Sequence, residues 1–301
     1  MKIIDSVVSG NVIKFLQMTD DNIVTETAFI EEKDRNIICF ASQLGCPIGC
    51  KICYNGIFKN YQRNLTKEEI IKQCSNVVCT LDLDKKDKYI LFSCMGVGEA
   101  LLNYENVVSA IKELNILYPN SRFALATTGV KPELIKQLGI DLNDIEHFKL
   151  TISLHSANDK IRRNLIPTNV SLDEIKKRVE VFKRVCEHQV EYNYVLLDNI
   201  NDKEENALDV INFLNTDDQL KISSFNEIEG SKLRKSHRLE QFKKALSIND
   251  INYYVFDSKG TDIEVGCGQM ITHYNQKTKV LKKGDDWYDI NRIVRKIWLS
   301  G

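Results

Sequence analysis

Much of what would mark a membrane, secreted or broadly nucleic-acid-binding protein is missing from this 301-residue chain. Its 41 Lys and Arg are matched by 42 Asp and Glu, for a net charge of −1. No global basic field therefore advertises a nucleic-acid partner, and any RNA-binding surface must be local. No run approaches the roughly 18 apolar residues that a membrane span needs, so no membrane partner is expected. Nothing reads as a secretory signal, which makes the nine cysteines cytosolic thiols and metal ligands rather than disulfides and gives a cytoplasmic location as the expectation. Also missing is the second Cys-x2-Cys pair that would complete a zinc knuckle.

What remains is a composition that can bury one large core, 43% hydrophobic and 28% charged, although the length alone would allow two domains. Within it, Cys46, Cys50 and Cys53 stand in Cys-x3-Cys-x2-Cys spacing. A 4Fe-4S cube has four irons, so three cysteine ligands leave one iron open to bind something else. The competing readings are a zinc site or three packing thiols. Zinc wants four ligands, and the nearest spare cysteine, Cys39, lies inside a strand-like run.

Apolar strand-like runs at 36–41, 89–94, 122–126, 148–154, 191–197 and 219–225 alternate with helical periodicity at 67–79, 104–116, 131–138, 171–187, 203–214 and 237–247. The first helix opens on a capping box, Thr66 with Glu69, and carries Ile70, Ile71, Cys74, Val77 and Val78 on one stripe. Cys74 is expected in the core, and Cys79, Cys94 and Cys186 are read as packing thiols. Six strand-helix units imply a parallel sheet, most simply a partial (β/α)6 barrel behind an amino-terminal β extension: 1–35 for the extension, 36–301 for the core.

In such folds the active site gathers at the carboxyl ends of the strands. The unusual residues fall there: the cysteine loop after the first strand, Met95 to Glu99 after the second, Thr127-Thr128-Gly129 after the third, Ser153-Leu154-His155 at the fourth and Asn226 after the sixth. Gly96 and Gly98 let backbone approach a ligand, and Glu99 can accept a hydrogen bond from an ammonium. Taken singly, the glycines could be turn residues and His155 a satisfied core histidine.

The chain resembles the radical SAM RNA methyltransferases of the RlmN/Cfr family. The matching segments are Glu26 to Ile30, Cys39 to Cys46, Arg63-Asn64-Leu65, Met95 to Asn103, Ser153 to His155, Arg162 to Pro167, Tyr194 to Asp198 with Asn201-Asp202, and Cys267-Gly268-Gln269. Together they span about residues 12–275, and the most specific are the seven-residue Cys39–Cys46 offset and the late Cys-Gly-Gln.

That resemblance implies a fold of the radical SAM type and two cofactors: a 4Fe-4S cluster on Cys46, Cys50 and Cys53, and S-adenosyl-L-methionine (SAM), whose one-electron cleavage there yields a 5′-deoxyadenosyl radical. Gly98, Glu99, Thr127, Ser153, Leu154, His155 and Asn226 would hold SAM. It further implies that Cys267 is methylated by a first SAM and delivers that carbon to adenine C2, or alternatively C8, of rRNA or tRNA. Cys39 would then attack the Cys267 sulfur and release product, leaving a Cys39–Cys267 disulfide that must be reduced. Glu26 matches the position of a general base or adenine contact, with an exposed strand carboxylate as the competing reading. The implied partners are RNA and an electron donor such as flavodoxin or ferredoxin, with the enzyme a monomer.

Several positions depart from the family pattern. Asn55 stands for a usual Thr, Val97 and Ala100 for Met and Pro, and Ala126 for a common Ser. Only 25 residues precede Glu26, where the family carries an accessory RNA-binding domain. Local basic groups would then supply the grip: Lys59 and Arg63; Lys232, Arg234, Lys235 and Arg238; or Lys277, Lys279, Lys282 and Lys283. Three classes of function compete: an RNA adenine methyltransferase, a radical SAM enzyme with a different, smaller substrate, and a non-catalytic iron-sulfur or RNA-binding module.

Overall fold

The computed structural model describes residues 1–256, apart from residues 86 and 229. The expectations on Cys267 and on Lys277 to Lys283 lie outside the described residues.

The chain opens as an antiparallel meander, β1 (Lys2–Ser9), β2 (Val12–Met18) and β3 (Val24–Glu31), which pairs with β4 (Arg35–Cys39). A short hairpin of β5 (Gln43–Leu44) and β6 (Arg63–Asn64) encloses the cysteine loop and α1 (Tyr54–Phe58). Then α2 (Lys67–Thr80) leads to β7 (Tyr89–Cys94), α3 (Tyr104–Leu117) to β8 (Ser121–Thr127) and α4 (Glu133–Asp141) to β9 (Phe148–Ser153). Two helices, α5 (Asp159–Leu165) and α6 (Leu172–Val185), precede β10 (Gln189–Leu196); α7 (Glu204–Phe213) precedes β11 (Gln219–Ser224), and α8 (Leu239–Ile248) precedes β12 (Tyr253–Phe256).

These strands form one ten-stranded sheet in the order β1-β2-β3-β4-β7-β8-β9-β10-β11-β12, in which β4 and β7 to β12 run parallel. Six strand-to-strand crossovers in sequential order wind a partial (β/α) barrel that does not close among the described residues, with β1 and β12 as edges. The antiparallel meander continues the barrel sheet: Phe15 and Phe29 belong to its core.

The two faces of the sheet differ because the pleat sends alternate residues to opposite sides. One face carries the large apolar side chains Ile38, Phe92, Phe123, Leu150, Tyr192 and Ile222, all nearly or fully buried against the helices. The other carries a row of small and polar residues in register, Lys14, Ala28, Cys39, Ser93, Ala124 and Lys149. A polar inner face leaves room and hydrogen-bonding groups where a closed barrel would be filled with branched aliphatics.

Helix α2 has the capping box: Glu69 N donates to Thr66 Oγ1 at 3.2 Å and Thr66 N to Glu69 Oε2 at 2.9 Å. Ile70, Cys74, Val77 and Val78 are buried as the stripe requires, and Ile71 at its edge is half-buried. Cys94 and Cys186 pack inside too, whereas Cys79 is exposed. Five residues after Cys74, it has turned about 140° from the stripe and faces water. No helix among the described residues is long and apolar enough to cross a membrane.

Candidate active site

The cysteine loop leaves β4 at Cys39 and is fastened at several points. Gln73 of α2 reaches across: its Nε2 donates to Ala41 O at 2.8 Å while its Oε1 accepts from Ala41 N at 3.0 Å and Thr27 Oγ1 at 3.1 Å. Asn103 Nδ2 donates to the carbonyls of Ser42 and Leu65, each at 2.7 Å. At Gly45, with φ +78°, an added Cβ would lie 2.2 Å from Asn60 O, so two strands of the loop touch backbone to backbone. Sequence reasoning did not single out Gln73 or Asn103, because an amide that serves backbone elsewhere in the chain leaves no local pattern.

Cys46, Cys50 and Cys53 share this loop and one another's electrostatic field. Burial pushes the Cys46 thiol up to about 12, and it raises Cys50 and Cys53 as well, with neighbouring thiols adding to the effect at Cys46 and Cys50 and Glu26 adding to it at Cys53. Backbone N–H groups oppose it, that of Ile48 at Cys46 and those of Gly56 and Asn55 at Cys53. Three half-buried thiols that resist ionisation, two of them beside N–H donors, suit a cationic group that draws them into the thiolate form. In a 4Fe-4S cube each thiolate binds its own iron, so this donor set fits a cluster better than a mononuclear zinc.

Glu99 follows β7 and is 3% exposed. Its Oε1 accepts from Thr127 Oγ1 at 2.5 Å and Leu101 N at 3.2 Å; its Oε2 accepts from Thr128 N and Thr128 Oγ1, both at 2.8 Å. Burial still leaves the carboxyl above its ordinary range, against these four donors. A carboxylate offers about four lone-pair sites, so an incoming ammonium would take the place of a threonine hydroxyl, whose rotor can turn away. Glu99 N donates to Gln43 Oε1 at 2.8 Å, and the intervening Gly98, with φ +115°, has no room for a Cβ, which would meet Ser42 Oγ at 2.5 Å.

Ser153 ends β9, and Leu154 and His155 follow it. Leu154 N and His155 N both donate to Asn193 O, at 2.9 and 3.1 Å. His155 has φ +53° and is 5% exposed; burial, followed by the charge of Arg162, lowers its pKa to about 3. Its Nδ1 accepts from Val195 N at 3.1 Å, which leaves a neutral ring whose other nitrogen is the donor. Asn201, fully buried, donates to His155 O at 2.6 Å and Val195 O at 2.8 Å and so fixes this turn. Asn226, half-buried, lies just past β11.

Cys39 and Glu26 share the polar face. Cys39 pairs with Ala28 across β3 and β4, and Glu26, two residues from Ala28, points to the same side. The Glu26 carboxylate is 5% exposed and takes Lys14 Nζ at 3.3 Å, so the exposed-carboxylate reading does not hold. Burial lifts the partly exposed Cys39 thiol to about 11, the nearby Glu26 adding to this and the Met95 backbone opposing it. All eight described cysteines are free thiols.

Of the basic residues expected to face a polyanion, Arg63 is held by Asp21 at 2.8 Å and Glu69 at 2.7 Å, and Arg238 by Asp202 at 3.2 Å. Lys59 is exposed at the end of α1. The residue that sequence reasoning underrated is Arg162 on α5, which is 0% exposed and donates through Nη2 to Thr128 O at 2.6 Å and Ser153 O at 3.1 Å. In a short helix with neighbouring charges it reads as surface.

Residues 41–211 match the family model for the radical SAM superfamily. The chain is 33% identical to the probable dual-specificity RNA methyltransferase RlmN of Dictyoglomus thermophilum, over 93% of this chain and 82% of that protein. It is also 33% identical to the protein of the same description from Thermotoga maritima, over 90% and 79%. Among solved structures, a radical SAM methyltransferase from Sphaerobacter thermophilus superposes with a TM-score of 0.81 at 27% identity, covering 89% of this chain and 80% of its own. Sequence, fold and cysteine loop agree that the chain belongs to the radical SAM superfamily and, within it, to the RlmN family.

Proposed function

We propose that this protein methylates an adenine carbon of rRNA or tRNA, C2 in the first instance and C8 as the alternative, through an S-methylcysteine formed on Cys267. The observation that carries the reading is the juxtaposition of Cys39 and Glu26 on the polar inner face, at the strand end from which the Cys46–Cys53 loop departs. The relatives' names as dual-specificity RNA methyltransferases support the substrate class.

Radical SAM proteins use a 4Fe-4S cluster and SAM, which together supply a carbon-centred radical able to attack positions that carry no acidic proton. The chain's own residues do the rest. Cys46, Cys50 and Cys53 hold the cluster, and Gly98, Glu99, Thr127, Ser153, Leu154, His155 and Asn226 line the SAM position. Glu99 receives an ammonium where a threonine hydroxyl now sits, and neutral His155 offers a hydrogen-bond donor without adding charge. Glu26 contacts or deprotonates the adenine. Cys39, as thiolate, attacks the sulfur that links Cys267 through a methylene to the adenine carbon; the sulfur–methylene bond breaks as the Cys39–Cys267 disulfide forms, and the leaving methylene takes up a proton to give the methyl group of the released RNA. The adenine must be unstacked to reach them. The enzyme works on this reading as a cytoplasmic monomer fed by flavodoxin or ferredoxin.

The test is Cys39→Ala purified from cells that also make the wild type. A covalent RNA adduct on the variant, with a methyladenine present in wild-type RNA and absent after gene deletion, is the expected result. An RNA-free variant and an unchanged modification profile would overturn the proposal, and SAM cleavage with no RNA modified would favour a smaller substrate.

A further inference from the structure

Arg162 has the largest fully buried side chain among the described residues, and its guanidinium is only partly used. Nη2 donates to the carbonyls of Thr128 and Ser153, while Nε and Nη1 find no partner among the described residues. A buried cation with unpaired N–H groups is destabilising unless something anionic completes it.

The neighbours narrow what that anion is. Glu99 lies in the same field, but its oxygens already receive four donors. Asp159 sits at the solvent-facing start of α5 and is 43% exposed. The remaining negative group whose charge acts on Arg162 among the described residues is the sulfur of Cys50 once ionised. The geometry brings it close: Lys51 N donates to Leu165 O at 2.9 Å, and Cys50, Ile48 and Ile52 pack with Ile161, Leu165 and Ile166 in a second apolar cluster. Helix α5 therefore docks directly on the cysteine loop, with Arg162 on its buried side.

We propose that Arg162 is a positioning residue for the iron-sulfur cluster, donating one of its unpartnered N–H groups to the sulfur of Cys50 and holding the cluster's reduction potential up by its charge. The same side chain grips the carbonyls of Thr128 and Ser153, at the two strand ends that line the SAM position. One guanidinium thus couples the electronic state of the cluster to the shape of the SAM cradle. The inference rests on the radical SAM assignment and is independent of which RNA is the substrate.

The test is a redox titration of the reconstituted protein, monitored by electron paramagnetic resonance without SAM. Arg162→Gln is expected to shift the reduction equilibrium at least tenfold toward the oxidised cluster, 59 mV for one electron. Arg162→Lys, which keeps the charge, stays within threefold. Should Arg162→Gln fail to hold a cluster, wild-type protein grown with 15N-guanidinium arginine decides: pulsed measurements on the reduced cluster should show a 15N coupling that Arg162→Lys lacks. An unshifted potential in Arg162→Gln, or no 15N coupling in the wild type, overturns the proposal. Weakened SAM binding with an unshifted potential also overturns it and assigns Arg162 to the SAM carboxylate.

Discussion

Lys14 and Glu26 offer a clean separation of stability from chemistry. The two side chains are 3% and 5% exposed and meet at 3.3 Å on the inner face. Replacing Lys14 by Met deletes the cation and leaves the buried carboxylate without it, a change that costs about 3–5 kcal/mol in comparable buried pairs. At roughly 2–4 °C per kcal/mol for a chain approaching this size, the melting point should fall by about 6–20 °C. Removing both charges with Lys14→Met/Glu26→Leu should recover most of that loss, because two apolar groups of similar volume need no mutual compensation. Urea unfolding followed by circular dichroism gives both numbers and hence the coupling energy. If Lys14→Met costs under about 1 kcal/mol, or the double variant is as unstable as the single, the pair is solvated and the burial argument fails. The double variant should still cleave SAM, yet modify no RNA if Glu26 has the role proposed for it.

Three other outcomes follow from the site. Gly98→Ala must place a methyl 2.5 Å from Ser42 Oγ at φ +115°, so strain and overpacking of about 2–5 kcal/mol should appear in urea unfolding. Because Gln43 and Glu99 shift with it, SAM affinity should weaken at least tenfold by calorimetry, and a change under twofold would refute the coupling. Cys39, raised by burial to about 11 from an ordinary 9.0, should alkylate about tenfold faster per pH unit up to pH 10 without a plateau, as followed by peptide mass spectrometry. The sign is that of an acid harder to ionise when folded: its contribution to stability is full below pH 9 and is lost as pH rises through 11. Finally, Lys59→Ala should lower the salt slope of RNA binding by about one unit, whereas Arg63→Ala, already engaged by Asp21 and Glu69, should leave it unchanged. Equal slopes for the two variants would contradict this division.

The six strands and their helices were legible because each has a clean period, two for the sheet and 3.6 for the helices. Short elements were not, α5, α1 and β12 among them. Helix α5, Asp159–Leu165, carries three basic residues and too few apolar ones for a stripe, which also hid the burial of Arg162. Helix α1 is five residues long, contains Gly56 and has no side-chain cap. Strand β12 has four residues at the sheet edge, too short for alternation to be distinctive. In the site, residue types at strand ends were readable from the topology alone. What pairs with what was not: Arg63 finds Asp21 from 42 positions away, and Glu26 finds Lys14 across a hairpin.

The grip of Gln73 on Ala41 bears on how the protein opens. A residue whose backbone N–H and carbonyl are both held by a side chain of α2 cannot exchange its amide hydrogen while that helix stays docked. The entrance to the cysteine loop therefore belongs to the same cooperative unit as the barrel rather than to a locally fraying segment. Iron and sulfide would be delivered into a cradle that is already folded.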